Sequence, residues 1–73
     1  MIREFSEISG GRYTVICESE YGDFRTYTGG MLKRDRHGFY RFYAKPKIIL
    51  SLTDCRMLAD KLNELNIAAG NKS

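Results

Sequence analysis

MLKRDRHGFYRFYA, residues 31–44, is the stretch whose reading decides the fold. Phe39, Arg41 and Tyr43 share one parity, and Tyr40, Phe42 and Ala44 share the other. That is the period of a β-strand with aromatic residues on both faces. His37-Gly38 separates this run from MLKRDR, and glycine takes positive φ at no steric cost, so the whole reads as a hairpin. Two registers satisfy it. A two-residue His37-Gly38 loop sets Arg36 opposite Phe39, Arg34 opposite Arg41 and Leu32 opposite Tyr43. A three-residue loop sets Asp35 opposite Phe39, Lys33 opposite Arg41 and Met31 opposite Tyr43. Arg41 faces a cation in both. Pro46 has no amide proton, so it ends the strand or keeps it at a sheet edge.

Upstream, RYTVICES (12–19) alternates, with Tyr13, Val15 and Cys17 on one parity and Thr14, Ile16 and Glu18 on the other. Glu20-Tyr21-Gly22-Asp23 supplies turn chemistry. Alternation resumes through DFRTYT, with Phe24, Thr26 and Thr28 facing away from Arg25 and Tyr27. This is another hairpin, and Gly29-Gly30 is expected to end it, as Gly10-Gly11 is expected to form a turn. KIILSL (47–52) reads either as a further buried strand with an open edge or as the lead-in to a helix. From Thr53 the period changes: Cys55, Leu58, Ala59, Leu62 and Leu65 recur at three and four, the stripe of an amphipathic helix. Met57 lies beside that stripe and borders the core. Thr53 with Asp54 behind it, or Ser51 with Asp54 as a capping box, would start the helix. Gly70 would stop it.

The expected fold is α+β: an antiparallel meander of three to five strands, two hairpins among them, with one C-terminal amphipathic helix packed on one sheet face. Residues 1–70 form a single small domain and 71–73 a frayed tail. One helix covers one face, so the other is solvated or used. A chain of 73 residues buries only about 60% of the surface its unfolded form exposes. It has little room for a core and a deep pocket together.

Cys17 and Cys55 form no CxxC pair; two reduced, buried thiols are expected, with a disulfide or metal site as the alternatives. No apolar run approaches the ~18 residues of a membrane span, and no leader pattern is visible. The expectation is therefore a cytoplasmic protein with no membrane contact. His37, the one histidine, falls in a turn away from either cysteine. No phosphate loop or carboxylate pair stands out, and Asp54, Asp60 and Glu64 read as helix surface and cap. No enzyme activity, cofactor or metal is expected.

Charge is regional. Residues 1–30 carry Arg3, Arg12 and Arg25 against Glu4, Glu7, Glu18, Glu20 and Asp23, net −2; residues 31–47 carry six cations against Asp35, net +5; residues 48–73 balance at zero. The basic segment is interleaved with aromatics, and like charges opposite one another on a sheet cost stability unless something neutralises them. Acids on a neighbouring strand (Glu18, Glu20 or Asp23) would do so from within, and an anionic partner from outside. The candidate binding residues are Arg34, Arg36, Arg41, Lys45 and Lys47 for phosphates, with Phe39 and Tyr43 against bases or sugars. The expected function is a small non-enzymatic module that binds nucleic acid through this basic-aromatic face. The alternative is a protein-binding regulator or inhibitor of phage or mobile-element type, acting on a cellular protein through the same face or an edge strand. A homodimer burying the face is a third use.

HGFYRFYA shares Gly38 and Phe39 with the first ribonucleoprotein motif of RNA-recognition domains, but Tyr40, Arg41 and Ala44 stand where that motif has other residue classes, so it is not assigned. The strand-strand-strand-helix order resembles that of the arm-binding domains of tyrosine recombinases and, more loosely, of double-stranded RNA-binding domains. That likeness is one of element order and assigns no residue.

Overall fold

The computed structural model describes residues 1–19 and 25–71. The turn expected at Glu20–Asp23, and Phe24, lie outside the described residues, as do the last two residues of the tail. Four strands, Ile2–Ile8 (β1), Arg12–Glu18 (β2), Thr26–Arg34 (β3) and Tyr40–Ala44 (β4), form an antiparallel sheet in the order β1-β2-β3-β4. The helix Leu52–Ala68 (α1) follows and packs on one face. The α+β meander with a single C-terminal helix is thus the observed architecture.

β1 is a strand whose apolar residues do not alternate: Ile2, Phe5 and Ile8 recur at three. Its pairing explains how it fits. The register to β2 shifts between Ile2 and Glu4, so Arg3 is an extra residue, a β-bulge that returns Ile2 and Phe5 to the same face. Ile2 then enters the core and Phe5 packs against it. A turn at Ser9–Gly11 with Gly10 and Gly11 at positive φ connects β1 to β2.

Gly29-Gly30 does not end a hairpin, contrary to expectation. β3 runs through both, and the register to β2 jumps from Val15↔Gly30 to Ile16↔Thr28, making Gly29 a second bulge residue. Glycine is required by crowding. A Cβ on Gly29 would lie 2.6 Å from the Cys17 Sγ, and one on Gly30, at φ +152°, 2.5 Å from the Tyr43 carbonyl oxygen.

Ile2, Val15, Cys17, Leu32 and Tyr40 from the sheet meet Leu58 and Leu65 from α1, with Phe42, Leu50, Met57 and Leu62 around them. The inward parity of β4 is therefore Tyr40 and Phe42 as expected, although Ala44 is exposed. On α1 the buried line runs through Asp54, Leu58 and Leu65; Cys55 and Ala59, expected in the stripe, are exposed. Cys17 and Cys55 are both free, the first buried and the second, against expectation, on the surface. KIILSL is not a strand and offers no sheet edge. A turn at Pro46-Lys47 takes the chain off the sheet, Leu50 packs on the core, and Ile49 is left 88% exposed.

Ser51 is the N-cap. Its side chain accepts the Asp54 N–H and Asp54 returns a bond to the Ser51 N–H, completing a capping box. Thr53 lies inside the helix. At the other end Gly70, at φ +79°, donates to Ile67 and Asn71 to Asn66, the paired bonds of a Schellman ending. The Asn71 side chain donates to the Gly38 carbonyl and to Asn66 Oδ1.

α1 also ties both outer strands. Asp54 Oδ1 accepts the Ile2 N–H at 2.8 Å, and Asn66 Oδ1 accepts the Tyr40 N–H at 2.8 Å while its amide donates to the Tyr40 carbonyl. Asn66 thereby does for Tyr40 what a fifth strand would do, which shortens the open edge of β4.

Candidate nucleic-acid interface

The hairpin adopts the three-residue loop. Asp35 and Phe39 face one another, the Asp35 N–H donating to the Phe39 carbonyl at 2.8 Å. Lys33↔Arg41, Met31↔Tyr43 and Arg34↔Tyr40 follow. The Gly38 N–H donates to the Asp35 carbonyl at 3.0 Å, and Gly38 has φ +88°. Asp35 Oδ1 accepts the His37 and Phe39 N–H groups at 2.8 and 3.1 Å. This is a type I turn closed by a left-handed glycine, with an aspartate of the type that stabilises it.

That register sorts the expected binding residues. Phe39, Arg41, Tyr43 and Lys45 share the parity that faces away from α1, and Lys33 joins them from β3. Arg34 does not. It pairs with Tyr40, and its guanidinium carbon lies 5.2 Å from the Tyr40 ring centroid. Because Tyr40 is inward-facing, Arg34 belongs to the helix side, and Lys33 takes the place expected for it. Arg36 is exposed at the loop tip with its Nε 3.4 Å from His37 Nε2. Lys45 and Lys47 are exposed beyond the end of β4.

On the open face Arg41 stands opposite Lys33, and Asp35 offsets the charge of Arg41 but not that of Lys33. Arg41 Nε lies 3.0 Å from Asp35 Oδ2. The Arg41 contact, helped by the two backbone N–H bonds and opposed by partial desolvation, holds the Asp35 carboxyl below the usual carboxylate range. Glu18 is not the neutralising group: it pairs with Thr26 at the opposite end of β3 from Arg34, a separation of roughly 26 Å at the rise of an extended chain. Glu20 and Asp23 lie outside the described residues.

Lys33 Nζ sits 4.7 Å from the centroid of the Tyr43 ring, which is 42% exposed, with the half-buried Met31 across from it. Phe39 is half-buried at the other end. The strip therefore alternates aromatic, cation, aromatic, cation at about 6.7 Å between neighbours on the same face. Sequence reasoning missed two members. Lys33 depended on the register, and Asp35 was read as a lone acid. The signal was present in the spacing of Asp35 and Gly38, the first and fourth positions of a type I turn.

Among the described residues no group of three or more His, Cys, Asp or Glu side chains could hold a metal ion, and no helix is long and apolar enough to cross a membrane. Comparison with protein-family models, curated proteins and solved structures returns no match.

Proposed function

We propose that this chain is a small non-enzymatic binding module that takes nucleic acid on the open-face strip of β4. The observation that carries the reading is the alternation of Phe39, Arg41, Tyr43 and Lys45 at one parity along β4 and the residue flanking it at each end, with Lys33 opposite Arg41. Two cations opposite each other cost stability in an isolated sheet. A phosphate lying between them would reverse the sign of that term, and Asp35 occupies only one side of the pair. Lys45 and Lys47 extend the positive surface past the strand end.

The test is titration of labelled oligonucleotides at two salt concentrations. Each phosphate contact adds roughly 0.7–0.9 to the slope of log K against log salt. Saturable binding that weakens with salt, with Arg41→Ala lowering the slope by about one such contact, is the expected result. Absence of binding at low salt rejects the proposal.

A protein partner is the second reading, and Ile49 and Leu52 favour it. They are 88% and 69% exposed and follow the turn bearing Lys47. Large apolar side chains grouped near cations are a common composition for a protein interface. Nuclease-resistant retention of one stoichiometric protein, lost in an Ile49→Ser, Leu52→Ser variant, would favour it.

A further inference from the structure

We infer that the ligand of the β4 strip is single-stranded nucleic acid, not a duplex, with a base held against the face of the Tyr43 ring. This rests on the nucleic-acid reading above and narrows it.

Three observations bear on it. First, the element that would enter a major groove is missing from the basic side. α1 packs on the opposite face, and outside the buried Asp54 its charges are Arg56 and Lys61 against Asp60 and Glu64, a neutral balance that lacks the cationic excess of a recognition helix among phosphates. Second, the strip is an alternation. A duplex presents phosphates outward and keeps its base faces stacked inside, so it would use Arg41, Lys45 and Lys33 and leave Tyr43 idle. An unstacked strand uses both sets, because every base has a π-face to stack on an aromatic ring and a phosphate beside it. Third, the ring face is accessible. Tyr43 is 42% exposed on an edge strand, and its face already attracts Lys33 Nζ at 4.7 Å. Lys33 is a flexible point charge that can swing from the ring to a phosphate while a base takes the vacated face. Met31, paired with Tyr43, supplies apolar surface next to that base.

The experiment compares four probes of about 15 nucleotides, a length chosen from known single-strand site sizes: single-stranded DNA, single-stranded RNA of the same sequence, the corresponding DNA duplex, and a DNA strand made wholly of abasic sites. Each is titrated at one low salt concentration against wild type, Tyr43→Phe and Tyr43→Ala. All three proteins are checked by thermal melting, and the exposed position of Tyr43 leaves the core untouched. The inference expects both single strands to bind at least roughly tenfold tighter than the duplex and the abasic strand. Tyr43→Ala should erase most of that advantage, since it removes the ring on which the base stacks, and Tyr43→Phe should keep it. A preference for RNA over DNA, or the reverse, would identify the sugar without altering the inference.

Equal binding of all four probes, insensitive to Tyr43→Ala, overturns the inference while the nucleic-acid reading stands as a charge-only interaction. Tighter binding of the duplex does the same. No binding by any probe overturns both.

Discussion

The carboxylate of Asp54 accepts the backbone N–H of Ile2 at 2.8 Å, joining residues 52 positions apart in the chain. Asp54 is 1% exposed, and its second oxygen takes the Ser51 N–H at 3.0 Å. One side chain thus starts the helix and fastens the first strand to it. Burial alone would push its pKa up, but the bonds from Ile2 and Ser51 and the nearby N-terminal charge outweigh that, and the carboxyl is held below its usual value. A carboxyl depressed in the folded state contributes stability that is complete above its unfolded pKa of about 3.9 and is lost as pH falls through the lower folded value. Asp54→Ala should cost about 2–4 kcal/mol, since it removes a helix cap and leaves the buried Ile2 N–H unpaired. Asp54→Asn should be destabilised at pH 7 and lose less on acidification below about pH 4 than wild type does. Denaturant melts at pH 7 and pH 3 check both. An Asp54→Asn protein with wild-type acid sensitivity would assign that sensitivity to another group.

Asn66 performs the matching task at the opposite edge, bonding both the N–H and the carbonyl of Tyr40. Asn66→Ala should destabilise by about 1–3 kcal/mol through the unpaired backbone groups it leaves. It should also raise aggregation at high protein concentration, because β4 gains free edge at Tyr40 beyond what Phe42 and Ala44 already offer. Light scattering over time beside a denaturant melt separates the two effects. A stable variant that aggregates no faster would show that the edge needs no guarding.

Two backbone positions should respond with opposite signs. At Gly30 an added Cβ meets the Tyr43 carbonyl oxygen at 2.5 Å and the Phe42 ring at 2.8 Å, atoms of a paired strand that cannot swing aside. Gly30→Ala should therefore cost about 2–4 kcal/mol, chiefly through overpacking and strain at φ +152°. Lys47 is the one non-glycine residue at positive φ among the described residues, at 66°. Lys47→Gly should stabilise the fold by up to about 1 kcal/mol. Because Lys47 is also a candidate phosphate contact, the more stable variant should bind oligonucleotides more weakly. Melting temperature and affinity moving in opposite directions is the signature to look for.

The parts legible in the sequence are those with one dominant local cause. RYTVICE and YRFYA announce their strands because alternation there is undisturbed, and the helix announces itself by its change of period. The two bulges hid the rest. Arg3 breaks the parity of β1 so that Ile2 and Phe5, three apart, share one face, and Gly29 lets a strand cross a glycine pair that local rules read as a stop. Both are consequences of tertiary pairing, invisible to a window of a few residues. The same holds for the site. Tyr43 and Arg41 on one face followed from parity alone, whereas exchanging Arg34 for Lys33 required the loop length, and that rested on the Asp35 carboxylate holding the turn.

Asp35 supplies the final prediction. Its two oxygens have separate tasks: Oδ1 caps the His37 and Phe39 N–H groups, and Oδ2 pairs with Arg41 at 3.0 Å. Asp35→Asn keeps an acceptor oxygen for the turn and removes the one acid of the segment 31–47. The fold should survive with a modest loss of stability. Lys33 and Arg41 would then face each other with no internal counter-charge, so an external phosphate should be bound more tightly. Oligonucleotide affinity at low salt should rise, and the salt slope should steepen toward one additional contact of about 0.7. Asp35→Lys should steepen the slope further and weaken the turn, because it removes the cap as well. Fluorescence titration at three salt concentrations, with a thermal melt of each protein, measures all of this. An Asp35→Asn variant that is folded and binds no more tightly than wild type would mean that Arg41 is not a phosphate ligand, and that its pairing with Asp35 serves only the hairpin.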